Sequence, residues 1–201
     1  MIAIIDYGIG NLRSVQKAFE KVGAEAFITD KSDDILRAQK VVLPGVGAMR
    51  PAMERLNSLH LIPTIKNAIN SGKPFLGICL GLQLLFEEST EGGKVEGLGV
   101  LKGNVVRFEK LKVPHMGWNQ IQITNSKCSI FKNIPDFAHV YFCHSYFVTP
   151  KDTSAIATTT DYGVDFVSAV GIKNIFGVQF HPEKSQLVGL IILKNFKELT
   201  P

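Results

Sequence analysis

Cys79 sits in Gly77-Ile78-Cys79-Leu80-Gly81, and far downstream the chain carries His181-Pro182-Glu183. A thiol, an imidazole and a carboxylate are the parts needed for covalent catalysis: a nucleophile, a base, and a group that orients the base. The run Lys73-Pro74-Phe75-Leu76-Gly77-Ile78 reads as a short buried strand, and Leu80 to Phe86 continues at helical spacing. Cys79 is therefore expected on a strand-to-helix turn. A glycine two residues to either side lets that turn be sharp, as in a nucleophile elbow with Cys in place of Ser. The start of a helix favours the thiolate, which is the reactive form of the sulfur. In the apolar run Ile175–Phe180 that precedes His181, strand formers dominate. Side chains two apart in an extended segment point the same way, and Pro182 biases His181 toward extended geometry. His181 and Glu183 are thus predicted to face one site, with Glu183 orienting the imidazole that serves Cys79. Each residue alone has a plainer reading, since a buried cysteine is usually an inert small hydrophobe. Their joint occurrence favours catalysis.

The elements that would position these groups alternate in the first half. Ile2–Ile5, Ala26–Ile28, Lys40–Leu43 and Phe75–Ile78 read as strands, while Asn11–Val22, Arg50–Leu56 and Ile62–Asn70 carry helical spacing. Such alternation predicts a parallel sheet with helices on both faces. The second half is strand-rich. Val105–Phe108, Asn119–Ile123, Val140–Val148, Ala155–Thr160, Phe166–Ile172 and Ile175–Phe180 predict added antiparallel strands, closed by a helix over Gln186–Leu199. The fold class is α/β, and one domain over residues 1–201 suits a chain with no linker or repeat.

Composition narrows the function. A net charge of +4 with scattered lysines makes no case for nucleic acid. Three cysteines, at 79, 128 and 143, lack metal or disulfide spacing, so a reducing, cytoplasmic setting is expected. No apolar run is long enough to span a membrane. His60, His115, His139, His144 and His181 have no metal-ligand spacing, and neither a metal nor a cofactor is expected.

Pro44-Gly45-Val46-Gly47 follows the Val41-Val42-Leu43 strand. At the carboxyl end of a strand such a loop can expose backbone N–H groups to a ligand. Val46, with Gly47 beside it, and Leu80, the residue after the nucleophile, are the expected oxyanion-hole donors. Gly8-Ile9-Gly10-Asn11-Leu12-Arg13 has Arg13 where a dinucleotide fingerprint needs its third glycine. It is expected instead to be a tight turn packing near the Pro44–Gly47 loop. Pro114-His115-Met116-Gly117-Trp118-Asn119 holds the single Trp. This is either a buried anchor or an exposed patch for a partner.

Together, Gly77-Ile78-Cys79-Leu80-Gly81-Leu82-Gln83, Pro44–Gly47 and Phe180–Glu183 resemble the triad, or class I, glutamine amidotransferases, in order and over almost the whole chain. Asp6–Leu12 and Pro114–Asn119 are more specific and resemble the branch that serves histidine biosynthesis. The resemblance implies a flavodoxin-like fold and hydrolysis of glutamine through a Cys79 thioester. It implies that Gln83, Glu91, His144, Ser145 and Tyr146 help hold the substrate glutamine. It implies a heterodimer with a β/α-barrel synthase (cyclase) subunit, into which ammonia passes to react with a phosphoribulosyl intermediate. Pro114, Met116, Trp118, Asn119, Tyr141 and Lys184 are the candidates for that interface. Rotation of the Gly45–Val46 peptide on partner binding is expected to complete the oxyanion hole. Three alternatives stay open: another glutaminase of the family, such as one feeding pyridoxal phosphate synthesis, a stand-alone γ-glutamyl hydrolase, and a non-catalytic binding subunit.

Overall fold

The computed structural model describes residues 1–109 and 111–200. In the first half, β1 (Ile2–Ile5), α1 (Leu12–Lys21), β2 (Ala26–Thr29), α2 (Ser32–Arg37), β3 (Lys40–Gly45), α3 (Met49–Ser58), α4 (Leu61–Asn70), β4 (Phe75–Cys79) and α5 (Leu80–Leu84) follow one another. The second half contains β5 (Glu88–Ser89), β6 (Val95–Glu96), β7 (Gly103–Arg107), β8 (His115–Ile123), β9 (Ala138–His144), β10 (Tyr146–Pro150), β11 (Ile156–Asp161), β12 (Asp165–Ile172), β13 (Ile175–Val178) and α6 (Gln186–Glu198).

The sheet runs β2-β1-β3-β4-β13 with every pair parallel. It continues through β12, β10 and β7, which pair antiparallel, to the short β5 and β6. β1, β3 and β4 are buried on both faces, which is why β1 and β4 are apolar throughout and β3 is apolar after Lys40. Ile2, Ile4, Leu76 and Ile78 face α1 and α6, packing on Phe19, Leu193 and Phe196. Ile5, Leu43 and Phe75 face the other way, toward Ile35, Leu56 and Ile65 of α2, α3 and α4.

Two expectations change, and one element was unforeseen. The segment Val140–Val148 is two strands, because the chain leaves one partner for others at Ser145. β9 pairs with β8, whereas β10 pairs with β7 and β12. The helix after Cys79 ends at Leu84 instead of Phe86. Its last turn tightens, with Leu85 N–H donating to Leu82 O and Phe86 N–H to Gln83 O, and a returning loop caps the carbonyls left free: Leu98 N–H donates to Leu84 O, Leu101 N–H to Leu85 O and Gly99 N–H to Phe86 O. α2 was not legible, since six residues with one buried apolar side chain, Ile35, give no helical period.

The elbow depends on absent side chains. A Cβ on Gly77 would lie 2.6 Å from the Gly81 carbonyl oxygen, and one on Gly81 would overlap the Leu43 carbonyl of the adjacent strand. Gly81→Ala is therefore expected to lower stability by about 3 kcal/mol or more, since backbone on both sides of the collision must shift. Urea denaturation would show this as a lowered midpoint, and an unchanged midpoint would contradict the packing described.

Candidate active site

β3, β4 and β13 are neighbours, and their carboxyl ends meet at one cleft of about 440 Å³. The register puts Gly45 opposite Cys79, and Val178 opposite Ile78. The loop that leaves β3, the cysteine that ends β4 and the histidine that follows β13 are thereby collected from three adjacent strand ends. Val46, Gly47, Leu80, Gln83, Glu91, Pro114, His144, Ser145, Tyr146, His181 and Lys184 all line this cleft with Cys79. Gly10 packs on Gly45, as its expected place near the Pro44–Gly47 loop requires.

Cys79 has φ +54° and ψ −109°, a backbone state that side-chain-bearing residues rarely adopt. The strand-to-helix corner imposes it and turns the sulfur toward the cleft. The Gln179 amide donates to Sγ at 3.7 Å. His181 Nδ1 and Glu183 Oε1 are 2.8 Å apart, with side chains only 4% and 2% exposed. The route differs from expectation. Pro182–Lys184 is a 3₁₀ turn, so Glu183 reaches back to the ring through a turn instead of along an extended strand. Ser185 Oγ, donating to the His181 carbonyl at 2.7 Å, holds that turn closed.

Burial alone would lower the His181 pKa. Hydrogen bonds to Cys79 and Glu183, and the attraction of both charges, outweigh it and raise the pKa to about 10. An imidazolium beside a sulfur is the ground state suited to thiolate attack. Tyr7, fully buried, is pushed well above the usual phenol value by burial and then by the charge of Cys79. It is a permanent donor, to the Pro44 carbonyl at 2.9 Å, at the root of the Gly45–Val46 loop.

The expected glutamine-binding residues line the cleft, but several are committed within the protein. Both Gln83 amide hydrogens are used, by Tyr146 O at 3.0 Å and Gln179 Oε1 at 3.1 Å. Glu91 Oε2 accepts the Met49 N–H at 2.9 Å. His144 bonds Tyr146 O through Nδ1 and His115 through Nε2. Of the expected interface residues, Met116 and Trp118 are 61% and 47% exposed, which favours the patch reading over the anchor. Trp118 meets Tyr141 edge-on, and the Lys184 ammonium lies 5.7 Å from the same Tyr141 ring. Asn119 differs: its side chain turns inward to His115 and the Asp161 carbonyl. Gln179, His115 and Tyr7 escaped sequence reasoning. For Gln179 a signal existed, a lone polar residue inside the apolar run before His181.

The model of the glutamine amidotransferase class-I family matches residues 3–197. The chain belongs to the class-I glutamine amidotransferases. Two bacterial relatives named imidazole glycerol phosphate synthase subunit HisH are 54% identical. The protein of Syntrophotalea carbinolica matches over 99% of this chain and 100% of its own length, and that of Geobacter metallireducens over 97% and 96%. A crystal structure of a glutamine amidotransferase aligns with a TM-score of 0.75 at 17% identity, covering 94% of this chain and 95% of that one. At that identity it shows the class-I amidotransferase fold alone. Among the described residues no group of His, Cys, Asp and Glu is arranged to hold a metal, and no helix is long and apolar enough to cross a membrane.

Burial lowers the pKa of His115 to about 4 and that of His144 to about 3, from 6.5. Both are neutral when folded, so their stabilising contribution is complete above about pH 6.5 and is lost as pH falls toward those values. Each is expected to cost about 1.4 kcal/mol per pH unit in that window. His181 has the opposite sign: its contribution is complete below about pH 6.5 and lost as pH rises toward 10. Guanidinium denaturation from pH 6.5 to 5, above the carboxylate range, should show stability falling with acid. The slope should drop by about half in His115→Phe. An equal slope in both proteins would contradict the neutral burial of His115.

Proposed function

We propose that this chain is the glutaminase subunit of an imidazole glycerol phosphate synthase, forming one domain over its length. The observation that carries this reading is the Cys79–His181–Glu183 constellation at the joined strand ends of a chain 54% identical, end to end, to subunits of that name. The Cys79 thiolate attacks the side-chain amide carbon of glutamine, and the N–H groups of Val46 and Leu80 receive the oxyanion. His181 gives its proton to the leaving nitrogen as the tetrahedral adduct collapses, which releases ammonia and leaves a γ-glutamyl thioester. His181, now neutral and held by Glu183, takes a proton from water as the water attacks the thioester. Glutamate leaves and the thiolate returns. The sum is glutamine plus water giving glutamate plus ammonia.

Free ammonia would be protonated in bulk water, so a route to a second active site is needed. In this reading the second subunit is a β/α-barrel synthase that converts PRFAR to imidazole glycerol phosphate and AICAR. Exposed Met116 and Trp118, with Tyr141 and Lys184 beside the cleft mouth, support a docking face there. Gln83, Glu91 and the His144–Tyr146 segment form the glutamine wall. With both His144 ring nitrogens occupied, the backbone of that segment is its available surface.

Glutamate release from glutamine, with and without the barrel subunit and its ligand, tests the proposal. Strong activation by the partner is expected, and Cys79→Ala should reduce the activated rate by at least about 10³-fold. Full activity in the isolated chain would sink the partner-dependent reading and favour a γ-glutamyl hydrolase. Activity surviving in Cys79→Ala would sink the thioester.

A further inference from the structure

A line of hydrogen bonds runs from the half-buried Asn119 on β8 inward to the nucleophile, and its polarity is set at each end. Asn119 Oδ1 accepts the Gln120 N–H at 2.7 Å, and Asn119 Nδ2 faces the Asp161 carbonyl at 2.9 Å. The amide is thereby fixed with its nitrogen toward His115 Nε2, at 3.3 Å. At the other end, His144 Nδ1 lies 2.8 Å from the Tyr146 carbonyl, which can only accept. Nδ1 of His144 must carry the hydrogen, and Nε2 of a neutral ring must accept. The donor to it is His115 Nδ1, 3.1 Å away. The His115 ring is clamped between Phe142 and Tyr162, with centroids at 4.8 and 4.0 Å, so its donor direction is fixed.

Beyond His144 the line continues. The Tyr146 carbonyl also accepts from Gln83, whose second hydrogen goes to Gln179, whose own amide donates to Cys79 Sγ. Met116 and Trp118 project from the opposite face of the strand that bears His115 and Asn119.

We propose that Asn119, His115 and His144 are positioning residues of the glutamine site: a one-way hydrogen-bond relay that ends on the Tyr146 carbonyl, the acceptor it shares with Gln83, and so steadies the Gln83–Gln179 pair that holds the Cys79 sulfur. The proposal rests on the glutaminase reading above. It assigns the inward face of β8 a role distinct from docking. The relay holds only while both imidazoles are neutral Nδ1–H tautomers. One added proton places two N–H groups against each other somewhere along it.

The test combines imidazole ¹⁵N NMR on the full chain with glutamine kinetics of the complex with its barrel subunit. In the wild type both rings are expected as Nδ1–H tautomers. His115→Phe keeps the aromatic clamp and removes the donor. It should leave His144 in the Nδ1–H form set by the Tyr146 carbonyl, shift its Nε2 resonance as the donor is lost, and raise KM for glutamine about tenfold, with kcat changed less. His115→Gln, which returns an N–H donor, should recover part of the loss. Asn119→Asp turns the first donor into an acceptor and should move His115 off the Nδ1–H form, a readout that does not depend on His115→Phe folding. An Nε2–H tautomer at His144 in the wild type would overturn the proposal. So would altered tautomers with an unchanged KM, which would make the relay purely structural. A wild-type complex that hydrolyses no glutamine, yet shows both Nδ1–H tautomers, would instead overturn the glutaminase reading.

Discussion

Within two residues of position 79 a strand must end, a helix must begin and a thiol must face a cleft. No relaxed backbone does all three, and Cys79 is held at φ +54°. A conformation of that kind costs about 1–3 kcal/mol, so the surroundings must over-determine it. They do so by contact. Gly81 lies against the Leu43 carbonyl, Gly77 beneath Gly81, and a returning loop occupies the carbonyls of Leu84, Leu85 and Phe86. β4 sits between β3 and β13, so the strain is applied where the sheet is most fully buried. The shortness of α5 follows from the same crowding. Any electrostatic help from the start of a five-residue helix is confined to its first N–H groups, and the nearby imidazolium becomes the main charge opposite the sulfur.

The histidines of the site divide into two electrostatic types although all are buried. His181 has a carboxylate and a sulfur as partners and is held charged. His115 and His144 have each other, an amide and a carbonyl, and burial keeps them neutral. Desolvation opposes charge in every case, and only for His181 do opposite charges outweigh it. One imidazole is thereby equipped to move protons and two to point hydrogen bonds.

Residues whose role is local were legible in the sequence. The strand and glycine spacing around Cys79 announced the elbow, and the His181-Pro182-Glu183 tripeptide announced an imidazole paired with a carboxylate, although the turn joining them is not the extended one expected. The alternation of apolar strands and helices gave the parallel layer. Long-range pairing was not legible. Nothing near Ser145 says that the chain changes partners there, because that depends on β7, β8 and β12, all distant in sequence. The inward turn of Asn119 was hidden for the same reason, since its partner is the carbonyl of Asp161. Gln179 lay between these cases, conspicuous as a polar residue in an apolar strand but without meaning until Gln83 and Cys79 were beside it.

The pairing of Gly45 with Cys79 makes the spacing between strands a ruler for the chemistry. Adjacent strands lie about 4.7–4.9 Å apart whatever side chains they carry, because backbone hydrogen bonds set the interval. Loop, sulfur and imidazole are each mounted one strand from the next, so their separation is inherited from main-chain geometry. Apolar side chains elsewhere in the sheet can then be exchanged for one another as long as the ladder persists. Drift to 17% identity, with the fold still superimposable over most of both chains, is the latitude such a mounting allows.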